Sequence, residues 1–179
     1  MKVNKFILSA LIVMIVSGSA FAQPYRNGIG LRIAPSSYYD IATVSYKTFI
    51  TDPGALELNA GFGVKSYYGG SPTTFSLSAS YQHHFEIPVR GGGLYWFIGG
   101  GLTGYGAISN ARDANGHKVY GGFGFGLFPT GGVDFKIPRI PLSVSADYRP
   151  TVFLTAPSYY DSFYGSNFGF SARYTFGEK

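Results

Sequence analysis

The chain has no cysteine, one tryptophan and little charge: Asp, Glu, Lys and Arg make up 13% of its 179 residues, against roughly 25% in an ordinary soluble domain. Without cysteine there is no disulfide framework, no thiolate metal site and no residue for lipid attachment behind an export signal. Lys and Arg are scattered rather than clustered, so no basic tract offers itself to nucleic acid, which is not an expected partner. Beyond residue 22 no apolar run approaches the ~20 residues of a membrane helix. What the sequence has instead is 18% aromatic residues and 26 glycines. That aromatic content argues against disorder. The combination suits a wall of strands with apolar and aromatic side chains on one face and small or polar ones on the other.

The first 22 residues differ from the rest. Lys2 and Lys5 precede an apolar stretch from Phe6 to Val16 broken only by Ser9, and Ser17-Gly18-Ser19 leads to Ala20-Phe21-Ala22. A positive start, a short apolar core and a small-x-small ending are the layout of a cleavable export signal, here with the cut before Gln23. The organisation expected is a signal over residues 1–22 and a single domain over 23–179. Loss of the signal lowers the formal charge from +5 to +3, because Lys2 and Lys5 leave with it.

The domain is dominated by alternation with a period of two. From Leu56, an apolar set (Leu56, Leu58, Ala60, Phe62, Val64) interleaves with a polar or small set (Glu57, Asn59, Gly61, Gly63, Lys65). Only an extended strand separates residues this way. The pattern recurs over Thr74–Phe85, Leu142–Arg149 and Asn167–Phe176, and more weakly over Gly28–Ala34, Ile41–Ile50, Leu94–Gly106 and Lys118–Lys136. The expected fold is all-β: a transmembrane antiparallel up-and-down β-barrel of eight strands, with strand lengths suited to a tilted membrane crossing.

The connections fall into two kinds. Asp52-Pro53-Gly54, Glu86–Gly93 and Lys136–Pro141 are short, and Phe85-Glu86-Ile87-Pro88 resembles Phe135-Lys136-Ile137-Pro138. Connections around Pro35–Tyr39, Tyr68–Pro72, Ala107–His117 and Thr155–Tyr164 are richer in Tyr, Ser, Asn and Asp. Short turns belong at one end of such a barrel and loops at the other. Tyr38, Tyr39, Tyr67, Tyr68, Tyr105, Tyr159, Tyr160 and Tyr164 are expected near the loop rim, with the Tyr159-Tyr160 pair covering a loop surface. Trp96, Phe85, Phe135, Tyr174 and Phe176 are expected near the turn rim, where amphipathic rings form interfacial belts.

The signal segment, the eight alternating segments and the last strand Phe168-x-Phe170-x-Ala172-x-Tyr174-x-Phe176 together resemble small outer-membrane β-barrel proteins of the OmpA-barrel/OmpX type. Gly132-Val133-Asp134-Phe135 and Asp147-Tyr148-Arg149-Pro150 look like the versions found in Bacteroidota. The resemblance covers the whole domain. It implies an integral location in the outer membrane of a Gram-negative bacterium, with its lipids and lipopolysaccharide as surroundings. It also implies periplasmic chaperones and the barrel-assembly machinery as biogenesis partners. Phe168, Phe170, Tyr174 and Phe176 would serve as the assembly signal, although Gly177-Glu178-Lys179 follows Phe176. Because the family holds structural, adhesive, enzymatic and transport members, it implies a fold more than a task.

Alternation points Arg32, Lys47, Glu57, Lys65, Asp134, Lys136, Asp147, Arg149 and Arg173 into the barrel. An eight-stranded barrel is just wide enough for side chains to fill, and buried charges there have to pair. Glu57, Asp134 and Asp147 are expected to pair with some of Lys47, Arg149 and Arg173 in a structural plug; the alternative is a gated ion path or a proton relay. The Gly-rich fifth and sixth strands place Tyr95, Phe97, Gly99, Gly101, Tyr120, Gly122, Gly124 and Gly126 inward. These glycines either make room for rings or leave a cavity, open sideways near Pro129, for a small hydrophobic ligand or lipid.

Catalytic and metal signals are poor. His83 and His84 are adjacent and face opposite sides, whereas two ligands on a strand need a spacing of two. Ser109, Asp113 and His117 would allow an outer-leaflet lipid hydrolase only in the right geometry. Gly99–Gly104 spells a dinucleotide fingerprint inside a strand, the wrong context. Asp113-x-Asn115-Gly116 reads as a turn rather than a calcium loop. No cofactor, metal or catalytic residue is expected. The functions left open are an envelope or surface-contact role, transport or binding of a hydrophobic molecule, and lipid modification.

Overall fold

The computed structural model describes residues 25–64, 71–91, 93–110, 112, 121–157 and 160–177. Among them there is no helix, and ten strand segments form one antiparallel sheet closed on itself. The segments are β1 (Asn27–Ile33), β2 (Ala42–Phe49), β3 (Gly54–Val64), β4 (Thr73–Glu86), β5 (Leu94–Ile108), β6 (Gly122–Ile137), β7 (Leu142–Tyr148), β8 (Thr151–Thr155), β9 (Phe163–Tyr164) and β10 (Phe168–Phe176). Each of β1 to β6 pairs with the next, β7 pairs with β10, and β10 closes the barrel on β1.

There are eight staves rather than ten, because β8 continues β7 and β9 leads into β10. The register that pairs Gly131 with Tyr148 also pairs Leu127 with Val152. That register sets Pro129 opposite Pro150, at a position where two backbone bonds should cross. Neither proline has an N–H to give, so the seventh stave is interrupted there. The stretch expected to be a loop from Thr155 to Tyr164 is accordingly shorter, since Phe163–Tyr164 pairs with β8. The sixth stave is described from Gly122; residues 118–120 lie outside the described residues, as does the proposed signal segment.

Following hydrogen-bonded partners round the wall, from Arg26 through Phe49, Gln82, Thr130 and Asn167, returns to the first stave about ten residues above the start. This stagger gives the strands their tilt of roughly 40°. The first hairpin is short, with strands of 7 and 8 residues against 14 to 16 in β4 to β6. Its loop, residues 34–41, folds inward over the mouth instead of standing out. At the other end Gly91 and Gly93 turn the chain at φ of 95° and 85°, values a side chain would resist.

The two faces of the wall are inverted relative to a soluble protein. Charged residues are buried inside, while Leu31, Phe75, Leu77, Phe123, Leu154 and Phe170 stand on the outside with more than half their surface exposed.

Candidate functional site: the barrel interior

The interior is built in layers. At the turn end Tyr25 meets Phe49 edge-on, centroids 5.2 Å apart, beside the buried Ala55. Above them Lys47 Nζ donates to Asp134 Oδ2 at 2.8 Å and lies 4.9 Å from the centre of the Phe97 ring. Tyr25 donates to the same carboxylate at 3.1 Å, and His84 Nε2 is 3.4 Å from Lys47 Nζ.

Glu57 is the hub of the next layer. It receives Arg149 at 2.7 Å, Arg173 at 2.9 Å and the Gln82 amide at 2.7 Å. Arg173 spends its other N–H groups on Ser45, Ser145 and Ser171 at 2.8–3.1 Å. Towards the loops Arg32 forks onto Asp147, with contacts of 2.7 and 3.0 Å, and also reaches Asp40 at 3.0 Å and Asn167 Oδ1 at 3.0 Å. Arg149 Nε, 2.8 Å from Asp147, ties this layer to the one below.

Among the described interior residues, four guanidinium or ammonium groups thus meet four carboxylates. This matters because removing one partner leaves a buried charge uncompensated. The expected pairing partners Glu57, Asp134 and Asp147 do meet Lys47, Arg149 and Arg173. Lys136 does something else: its Nζ caps the adjoining turn by donating to the carbonyls of Ile137 and Ile140 at 3.2 and 2.7 Å. Lys65 lies outside the described residues. Asp40 was not legible as an interior group because it sits in a loop, beyond the reach of alternation. The excess of inward cations over inward carboxylates was the available hint that a further acid had to enter from a loop. Burial pushes the Asp40 carboxyl above the ordinary carboxylate range, while Arg32, Ser37 and Asn167 pull it down.

The loop end is closed by rings. Tyr38 and Tyr39 from the folded-in loop pack with Tyr105, Phe153 and Tyr160, with Tyr164 against them. Tyr39 stacks on Tyr105 at 5.6 Å, and its hydroxyl bonds Asn167 at 2.7 Å and Thr151 at 2.8 Å. Thr74 holds the Tyr38 carbonyl at 2.8 Å, and the Tyr164 hydroxyl donates to the Ser36 carbonyl. This corrects the expected rim belt. Tyr38, Tyr39, Tyr105 and Tyr160 lie inside, because Tyr105 is on the inward parity of β5 and the short first hairpin brings its loop over the mouth. Tyr160 is therefore not a loop-surface residue, while Tyr67, Tyr68 and Tyr159 lie outside the described residues. At the turn end the belt is on the outer wall: Phe85 stacks on Trp96 at 4.2 Å, and Tyr174 on Phe176 at 6.4 Å.

The glycines of β5 and β6 face rings, not a cavity. Phe97 pairs with Gly132, Phe128 with Gly101, Tyr105 with Gly124 and Phe153 with Gly126. A Cβ on Gly132, Gly101, Gly124 or Gly126 would fall 2.8, 2.7, 2.3 or 2.8 Å from the partner ring. Each ring lies across the bare backbone of its neighbour, so the space once open to a ligand beside Gly101, Gly124 and Gly126 is filled. Gly99 abuts the Tyr81 carbonyl, and Gly122 lies exposed against Pro157 at a φ of 143° that disfavours a side chain. Tyr95 is buried on the same inner face, and Tyr120 lies outside the described residues.

Elsewhere the chemistry is sparse. His84 is buried inside and His83 packs on Phe85 outside. Asp113 and His117, which the Ser109 reading needs, lie outside the described residues. Among the described residues no cluster of three His, Asp or Glu could hold a metal. Phe168, Phe170, Tyr174 and Phe176 all point outward from β10. Set against known proteins, the chain matches no family model, no curated protein and no solved structure.

Proposed function

We propose that this chain is an integral outer-membrane β-barrel protein of the OmpA/OmpX-like kind, with a side-chain-filled lumen and a structural, envelope-integrity or surface-contact role. The observation that carries the reading is the inverted wall: Arg32, Lys47, Glu57, Asp134 and Arg173 are buried inside, while a continuous apolar surface faces out. Exposed apolar patches beyond a few hundred Å² demand a partner or a membrane. A closed barrel is one of only two architectures that satisfy every backbone group in hydrocarbon. The outer-membrane lipids and lipopolysaccharide are the surroundings this wall would meet. The outward apolar row of β10 suits recognition by the assembly machinery that follows periplasmic chaperones. Paired charges and ring-sealed ends favour a non-conducting role over transport through the lumen.

The test is fractionation and heat-modifiable migration. The protein should sediment with outer membranes, resist extraction by carbonate, and run faster on gels unboiled than boiled. A monodisperse protein soluble without detergent would sink the proposal. Trp96, the only tryptophan, lies on the outer wall and is 43% exposed, so brominated lipids should quench its fluorescence.

A further inference from the structure

The inward Gly101, Gly124, Gly126 and Gly132 are explained by the rings that lie across them. Gly106 on the outer face is not. Gly104 and Gly106 occupy successive outward positions on β5; a Cβ at Gly104 would meet the Phe123 ring at 3.3 Å, whereas one at Gly106 would meet nothing within 4 Å. Register sets Gly106 between Phe75 and Phe123, and Gly104 between Leu77 and Phe125. Phe62 extends the first row, since it pairs with Phe75. The result is a trough one strand wide, running along β5 near the loop end, with a backbone floor and aromatic walls. It is the β5 part of an open hollow of about 760 Å³ that continues across β4 to Ala60 and Phe62 of β3. Phe62, Phe75 and Phe123 are 50–63% exposed, so its walls are uncovered. The β4 and β6 backbones on either side stand about 10 Å apart, two interstrand spacings.

We propose that this trough seats one hydrocarbon chain, an acyl chain of a lipid in the leaflet at the loop end. The inference rests on the membrane reading above and adds a specific lipid contact to it. The chemistry selects the occupant. The walls and the outward floor offer only C–H surface, so the trough has no means of fixing a headgroup. It is continuous with the apolar outer wall, where acyl chains are the available hydrocarbon. A second copy of this chain would present a convex wall, which a groove one strand wide does not fit. Rigid rings flanking a bare backbone give a chain dispersion contacts on three sides, which an ordinary side-chain-covered strand cannot.

The test uses the full barrel folded into phosphatidylcholine bilayers, released into mild detergent and weighed by native mass spectrometry. Gly106→Leu is the filling variant. A Cβ at Gly106 meets nothing within 4 Å, so leucine should occupy the trough without disturbing the fold. Gly131→Leu is the control: another outward glycine, outside the trough, whose Cβ would meet only the Phe97 carbonyl at 3.6 Å. Expected is one retained lipid on the wild type and on Gly131→Leu, and at least a fivefold lower lipid-bound fraction on Gly106→Leu. Equal lipid retention in all three proteins, or none in the wild type, overturns the proposal. So does a dimer lost in Gly106→Leu, which would make the trough a subunit contact. Folding into the bilayer, read by heat-modifiable migration of the same samples, reports separately on the membrane reading.

Discussion

Glu57 and Asp40 hold the interior together in different ways. Glu57 is the single carboxylate between Arg149 and Arg173, with Lys47 Nζ 3.8 Å away. Glu57→Ala would leave those cations facing each other out of water. It should cost about 3–5 kcal/mol, read as a lower urea midpoint for the folded barrel in detergent. Asp40 acts through its pH dependence. Because its folded carboxyl is raised, the folded barrel holds this proton more tightly than the unfolded chain does. Its contribution is therefore fully present below the unfolded value, about 4, and is lost as pH rises through the raised folded value. Asp40→Asn cannot titrate. The stability gap between it and the wild type should shift in its favour as pH climbs across that window, and a gap independent of pH would contradict the assignment. Gly124 makes the steric point. Gly124→Ala would put a methyl group 2.3 Å from the Tyr105 ring and should destabilise by about 1–3 kcal/mol. The same change should cost clearly less in a Tyr105→Ala background, since the two sites share one contact.

At the scale of elements, the seventh stave is the irregular one. Pro129 and Pro150 face each other at a bonded position, so two ladder bonds are missing. Pro150→Thr restores one donor, and the gain should be roughly 0.5–1.5 kcal/mol. Hydrogen exchange should find the new amide protected; an unprotected one would mean that the strands part here for another reason. The strands themselves were legible in the sequence. The faces of β3, β4, β7 and β10 follow from strict alternation between apolar and polar residues. The weaker pattern of β5 and β6 was harder to interpret, because glycine is neither clearly apolar nor clearly polar. Pairing alone resolved it, by setting Gly101, Gly124, Gly126 and Gly132 each beside a ring. The β7–β8 break could not be read, since it depends on two prolines about twenty residues apart meeting in register.

For the whole molecule, rings at both ends and paired charges between them make a plug. In planar bilayers the purified barrel should show no stepwise conductance, and discrete current steps would require the ionic layers to part. The first hairpin decides this. Being shorter than the rest, it drops Tyr38 and Tyr39 into the mouth and brings Asp40 down to Arg32.

The sequence by itself determined the eight alternating staves, which positions along the strands face inward, and that inward charges would have to pair. It could do so because alternation is local, each residue's side of the wall being set by its neighbours two positions away. Only the tertiary structure decided which charges meet, that Asp40 joins them, that tyrosines close the mouth instead of ringing the rim, and that glycines receive rings. Those outcomes depend on register around a closed wall and on relative stave lengths, which bring together residues as far apart as Tyr25 and Asp134 or Arg32 and Asn167.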